Sequence, residues 1–214
     1  MADERDQTAG EELANSLTHG AGLGLSLAAL ALLAVFSATR RNAWNIVGCC
    51  LYGVTLVALY AASMLYHALP AWRAKQVFNV VDHVSIYLLV AGTYTPFLLG
   101  PLRGPSGWVL FGVVWGLAAA GIVFQSLCIH RFRALSVASY LVLGWLAVFT
   151  IRPLWRVLPP MGVVWILIGG ACYTAGVAFY AWKSRRFAHA VWHLFVLAGS
   201  LCHFFGVMFF VARR

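Results

Sequence analysis

The sequence predicts an all-α integral membrane protein, a bundle of seven transmembrane helices, and three observations lead to this fold class. First, 62% of the 214 residues are hydrophobic and only 10% are charged, whereas soluble domains are about 45–50% apolar. Second, apolar runs of about 18 residues or more recur along the chain, and each can cross a hydrocarbon core about 30 Å thick. Third, the connections between these runs are short and carry proline, glycine or basic residues, which end helices and set topology.

Two regions are expected. Residues 1–12 hold five of the six acidic residues and form an acidic tail, and residues 13–214 form the transmembrane domain. Helices are favoured over strands because a helix satisfies its backbone hydrogen bonds internally in lipid. The expected spans are about 17–38, 43–66, 78–100, 107–128, 134–151, 160–182 and 190–211, each uncertain by about 2–4 residues at its ends.

The amino terminus lacks the basic and apolar regions of a signal peptide, so the first span is expected to stay in the protein. The loops predict its orientation. Without the chain termini, seven Arg and Lys residues lie on the face of the N-terminus and five on the other face. The positive-inside rule therefore favours a cytoplasmic N-terminus.

The basic residues lie singly or in pairs in short loops, a pattern typical of topology signals and contacts with lipid headgroups. We therefore expect membrane lipids as partners and no nucleic acid. The five cysteines fall within apolar spans and form no CxxC motif, so neither a disulfide framework nor a cysteine–zinc site is expected.

Asp82 is the only acidic residue beyond position 12, and an isolated acid within a membrane segment is a candidate functional residue. Ser63 and His67 lie at the end of the second span, Asp82 near the start of the third, and His189 and His193 at the start of the seventh. In a chain that crosses the membrane back and forth, these positions share one face, that of the N-terminus.

Two histidines four residues apart on a helix can bind one metal ion, and a histidine from another helix can complete a set of three nitrogen ligands. His67, His189 and His193 form such a set. Three histidines with one exchangeable position are typical of catalytic zinc sites, where the metal lowers the pKa of water toward about 7. Asp82 is then expected to hold or deprotonate that water, and Ser63 to supply a hydrogen bond.

Four further polar residues are possible accessories. Glu12, Asn15 and His19 lead into the first span, where they can cap the helix or close over the site. His203 follows His193 by ten residues, about 15 Å deeper along a helix, so it is expected to line a cavity or pack in the core rather than bind the same metal.

Together these residues resemble the progestin and adipoQ receptor family, specifically its bacterial branch called hemolysin III. The motifs that carry the resemblance are Glu12-x2-Asn15-x3-His19, Ser63-x3-His67, Asp82 at the start of the third span, and His189-x3-His193 followed by His203, across about residues 11–211. The resemblance implies seven helices with a cytoplasmic N-terminus in the bacterial plasma membrane. It also implies zinc on the three histidines, with Asp82 and Ser63 beside the zinc-held water.

The resemblance further implies hydrolysis of a lipid amide or ester, a role in membrane-lipid homeostasis and a small lipid substrate. Three alternatives stay open: a non-catalytic regulator or sensor with a structural zinc, a cytolysin, and a haem protein ligated by histidine pairs. The sequence predicts neither the lipid nor the oligomeric state.

Overall fold

The computed structural model of the protein describes residues 7–39, 41–70, 72–128 and 132–213, and these residues form eight α-helices. A π-helical turn, Met208–Ala212, extends the last of them. The helices are α1 (Ala9–Ala38), α2 (Ala43–Ala68), α3 (Trp72–Leu99), α4 (Pro105–Cys128), α5 (Arg133–Trp145), α6 (Val148–Val157), α7 (Pro160–Ala181) and α8 (Ala188–Val207).

Within these described ranges, seven helical segments are long and apolar enough to cross a membrane, because α5 and α6 together make one span, Ala134–Val157. The predicted all-α, seven-span architecture is confirmed. The side of the membrane on which the N-terminus lies stays a prediction.

The helices pack around two groups of buried side chains. Along the chain, α2 packs against α1 and α3, α8 packs against α7, and α1 closes the bundle by contacting α8. The larger group lies between these helices and includes Leu33, Tyr52, Tyr60, Val163 and Val207. A smaller group between α3, α4 and α5 is centred on residues such as Tyr87, Val114 and Leu143. The bundle thus brings the beginnings of α1 and α8 to the end of α2.

The first helix begins eight residues earlier than expected. Thr8 caps α1 in a capping box, in which its side chain accepts from Glu11 N–H and the Glu11 carboxylate accepts from Thr8 N–H. Such reciprocal bonds satisfy two free donors at a helix start. Residues 9–12, which the sequence analysis assigned to the acidic tail, are therefore the first turn of α1, and residues 1–6 lie outside the described part of the chain.

The fifth span also differs from the expected one. It was predicted to end near Ile151, with a loop from Arg152 to Pro160. The chain instead breaks after Trp145, and α6 then continues through Pro153 to Val157. A proline costs one intrahelical hydrogen bond, and transmembrane helices tolerate it where neighbouring groups satisfy the freed carbonyl.

The helices approach one another closely at particular glycines. A Cβ built at Gly20 in α1 would lie 3.5 Å from Sδ of Met64 in α2, an ordinary van der Waals contact. Within the described ranges, no neighbouring heavy atom lies within 4 Å of a Cβ built at Gly24, Gly112 or Gly116. Gly48 in α2, by contrast, would place a Cβ 3.1 Å from the backbone of Pro96 in α3, and there the two helices are in contact.

Candidate metal centre

Three histidines from two helices converge at one end of the bundle. His67 lies in the last turn of α2, and His189 and His193 lie in the first turns of α8. One ring nitrogen from each can be chosen so that the three lie within 4.8 Å of one another. His189 and His193 are four residues apart, so both project from the same side of α8. The structure thus brings together the three histidines that the sequence analysis selected as ligands.

The orientation of the His67 ring is set by Glu12. Nδ1 of His67 lies 2.6 Å from Oε2 of Glu12. A carboxylate only accepts hydrogen bonds, so the proton of neutral His67 resides on Nδ1 and the lone pair on Nε2. Glu12 also forms an ion pair with Lys75 of α3. A carboxylate behind a ligating histidine fixes the tautomer that a metal requires.

His193 is oriented in the same way by the backbone of α1. Its Nδ1 lies 3.3 Å from the carbonyl oxygen of Asn15 and 3.2 Å from Oγ1 of Thr18. The Thr18 hydroxyl donates to the backbone carbonyls of Ala14 and Asn15, so its oxygen is available as an acceptor. His193 therefore donates from Nδ1, and its Nε2 carries the lone pair.

Two of the ring nitrogens at the centre of the cluster are buried without a partner. Within the described part of the chain, Nε2 of His67 and Nε2 of His189 make no hydrogen bond. An unsatisfied buried polar atom costs about 1–3 kcal/mol, and a metal ion would remove that cost at both nitrogens. A set of three imidazoles suits zinc. The residues present therefore fit a zinc ion.

A cavity of about 350 Å³ opens beside the three histidines, and the predicted catalytic residues line it. Asp82 lies on its wall, where its charge interacts with His67 and His83 and its carboxylate faces Ser63. Oγ of Ser63 is buried and makes no hydrogen bond to any described residue.

Of the four accessory residues, three lie at the site. Besides Glu12 and Asn15, His19 is buried and stacks on His193, with ring centroids 3.5 Å apart and planes inclined by 13°. Neither ring nitrogen of His19 has a hydrogen-bond partner among residues 7–39, 41–70, 72–128 and 132–213. His203 is not part of the cluster. It packs deeper in the bundle, where its ring centroid lies 5.4 Å from that of Tyr173.

Glu11 is a residue that the sequence analysis missed. Its Oε1 accepts from the backbone N–H of Phe187, 2.9 Å away, just before α8, and Oε2 accepts from Thr8. Phe187 has a left-handed backbone (φ 59°), which is uncommon for a bulky residue. Glu11 thereby ties the start of α1 to the start of α8. Its place in the Thr8-x2-Glu11 pattern, a capping-box signature, was the signal that could have found it.

Comparison with known proteins finds relatives that align with nearly the whole chain. The profile of a family described as "Haemolysin-III related" matches residues 7–204. The "Hemolysin-3 homolog" of Bacillus subtilis is 45% identical over 203 residues, covering 95% of each chain. "Hemolysin-3" of Bacillus cereus is 43% identical over 201 residues, covering 94% of this chain and 92% of its own. The human "Monocyte to macrophage differentiation factor" is 27% identical over 216 residues, covering 95% of this chain and 85% of its own.

Proposed function

The chain belongs to the haemolysin III family of multi-pass bacterial membrane proteins, and we propose that it is a zinc-dependent hydrolase of lipid amide or ester bonds that acts in membrane-lipid homeostasis. The observation that carries the proposal concerns two buried Nε2 atoms, those of His67 and His189. Neither has a hydrogen-bond partner among the described residues, and both lie at a cavity that Asp82 also lines.

The three histidines would hold the zinc through Nε2 of His67, His189 and His193. When bound, zinc supplies a Lewis acid for the substrate carbonyl and makes water nucleophilic near neutral pH. Glu12 keeps the Nδ1 proton of His67, and the Asn15 carbonyl keeps that of His193. These two contacts hold both rings in the tautomer that leaves Nε2 free.

Asp82 is the proton acceptor in this proposal. It lines the cavity beside the histidines, and its electrostatic partners are His67 and His83. As a carboxylate it takes a proton from the attacking water and passes it to the leaving amine or alcohol. Ser63, whose hydroxyl is buried and faces Asp82, donates a hydrogen bond to Asp82 or to the substrate carbonyl oxygen.

The surroundings of the site suit a lipid. The cavity lies at one end of a membrane bundle, and apolar residues such as Leu59, Ile86 and Val196 form part of its wall. Polar groups that act on a carbonyl beside an apolar wall match a substrate with a reactive head and an acyl chain.

The test uses the full-length protein in lipid nanodiscs, loaded with zinc and supplied with a panel of lipid amides and esters. Wild type is expected to release fatty acid from at least one class, and Asp82→Asn to lose turnover while keeping most of its zinc. If zinc-loaded wild type hydrolyses none of the panel, the catalytic proposal is wrong.

One observation favours a second candidate, a regulator in which zinc is structural. The three histidines join α2 to α8, and a metal there would pin the two helices. If the zinc is structural, Asp82→Asn leaves membrane-lipid composition unchanged, whereas His189→Ala lowers the amount of folded protein. Lipid analysis of cells carrying each variant separates the two candidates.

A further inference from the structure

An apolar cavity adjoins the three-histidine cavity on the side of the bundle interior. This proximal chamber has a volume of about 100 Å³. Its lining includes Val137, Tyr140 and Val177, from α5 and α7. It shares with the three-histidine cavity the residues Leu59, His83, Ile86, Tyr180, Trp192 and Val196. Because the same side chains line both, the proximal chamber and the three-histidine cavity lie side by side with no helix between them.

A second apolar cavity, the distal chamber, lies deeper between α3, α6 and α7. Its volume is about 90 Å³, and its lining includes Thr93, Thr150 and Ile166. The two chambers have Val90 and Tyr173 in common. These two side chains therefore form the partition between them.

Tyr173 is fixed in this partition from two directions. Its hydroxyl lies 2.9 Å from Oγ of Ser200, and that oxygen also accepts from the hydroxyl of Tyr60 at 2.8 Å. Its ring packs on Gly199, where an added Cβ would lie 2.5 Å from the ring carbons. A side chain held both by its ring and by its hydroxyl is a firm wall.

The lengths of the two chambers determine which chains fit. Tyr180, at the proximal end, follows Tyr173 by seven residues of α7, or about 10 Å of helix. Ile166, in the distal chamber, comes seven residues before Tyr173 in the sequence, which places it a further ~10 Å along the same helix on the other side of the partition. Acyl chains of one leaflet extend through about 15 Å, half of the hydrocarbon core. The proximal chamber alone is thus shorter than such a chain, and the two chambers joined are longer.

We propose that the proximal chamber is an acyl-chain subsite and that Tyr173 limits the length of the chain it accepts. This inference rests on the proposed function, since it assigns the acyl part of the same substrate. Tyr173 selects shorter acyl chains because its ring excludes the end of a longer chain from the distal chamber. It touches no reacting atom, so it is a specificity-determining residue.

The experiment measures binding of the acyl product separately from turnover. Detergent-purified, zinc-loaded protein is titrated with saturated fatty acids from octanoate to stearate, and binding is followed by native mass spectrometry. Wild type is expected to prefer the shorter chains. Tyr173→Ala is expected to shift the preference to longer chains, by about tenfold in affinity for every two methylenes that enter the distal chamber.

Two variants serve as matched controls. Tyr173→Phe keeps the ring and loses only the bond to Ser200, so the preference for shorter chains should persist. Tyr140→Ala removes a tyrosine ring that lines the proximal chamber but not the distal one, so it should widen the chamber without lengthening it. Val90→Ala opens the partition from α3 and should shift the preference as Tyr173→Ala does, which keeps the test decisive if the latter variant does not fold.

The inference is overturned if wild type binds none of the fatty acids, if the partition variants keep the wild-type profile, or if Tyr140→Ala shifts it equally. Hydrolysis of the amide and ester panel is measured in parallel. A length shift in binding without turnover supports the subsite and rejects the hydrolase. Turnover that is insensitive to Tyr173 rejects the subsite and supports the hydrolase.

Discussion

Oε2 of Glu12 lies 2.6 Å from Nδ1 of His67, although the two residues are 55 positions apart and belong to different helices. The contact joins an acid at the start of α1 to a metal-ligand candidate at the end of α2. Because α1 begins at Ala9, Glu12 lies in its first turn, and this ordered turn holds the carboxylate in place behind the ring.

Replacing Glu12 should weaken zinc binding without removing a ligand. In Glu12→Ala, His67 loses the acceptor that holds its Nδ1 proton, and loss of such a contact typically costs 10–100-fold in metal affinity, or about 1.4–2.7 kcal/mol. Glu12→Gln keeps an acceptor and should cost less. Zinc affinity is measured by competition with a chelator of known affinity. Asp82→Asn is the control, because it removes a carboxylate from the same cavity, and it should bind zinc nearly as tightly as wild type.

The three candidate ligand histidines should be separable from His203, which lies deeper in α8. We expect His67→Ala, His189→Ala and His193→Ala each to lose zinc from the purified protein, since two imidazoles hold the ion far less tightly than three. His203→Ala should retain it, because His203 packs against Tyr173 outside the cluster. Metal analysis by inductively coupled plasma mass spectrometry decides the matter. Equal zinc loss in all four variants would contradict the assignment.

The sequence predicted the cluster of three candidate ligand histidines because topology and helical spacing are enough to bring them together. His67 ends one span, and His189 and His193 begin another on the same face. The contacts that orient these rings could not be predicted, since each depends on the register between helices. Neither the Asn15 carbonyl behind His193 nor the stacking of His19 on His193 leaves a trace in residue spacing.

The same distinction applies to the fold. Hydropathy predicted seven spans because each apolar run exceeds the thickness of the bilayer core. It could not predict the early start of α1, which depends on the Thr8–Glu11 capping box. Nor could it predict that α6 continues through Pro153, because proline is read as a helix end when the neighbouring helices are unknown.

Glu11 should stabilise the folded protein without taking part in metal binding. Glu11→Ala removes the acceptor of the Phe187 N–H and of Thr8, so it should lower the free energy of unfolding by about 1–3 kcal/mol. Glu11→Gln, which keeps one acceptor oxygen, should fall between it and wild type. The measurement is thermal unfolding in detergent, with zinc content determined on the same samples. An unchanged unfolding temperature for Glu11→Ala would show that the tie between α1 and α8 contributes nothing.

Two glycines in α1 offer a matched test of helix packing. A Cβ at Gly22 would lie 2.4 Å from Cδ1 and 2.5 Å from Cε1 of Tyr60, whose ring sits in the core and whose hydroxyl is held by Ser200. Gly22→Ala must therefore push α1 away from α2 or displace Tyr60. Overpacking of this kind typically costs about 1–3 kcal/mol.

Gly24→Ala, two residues along the same helix, meets no described heavy atom within 4 Å. Alanine is the better helix former by about 1 kcal/mol, so this variant should unfold at the wild-type temperature or above it. The pair is compared by thermal unfolding in one detergent. Because both changes add the same methyl group to α1, a loss of stability confined to Gly22→Ala locates the α1–α2 contact at Gly22 and Tyr60. Equal losses at both positions would instead mean that the contact between Gly22 and Tyr60 does not limit how closely α1 and α2 pack.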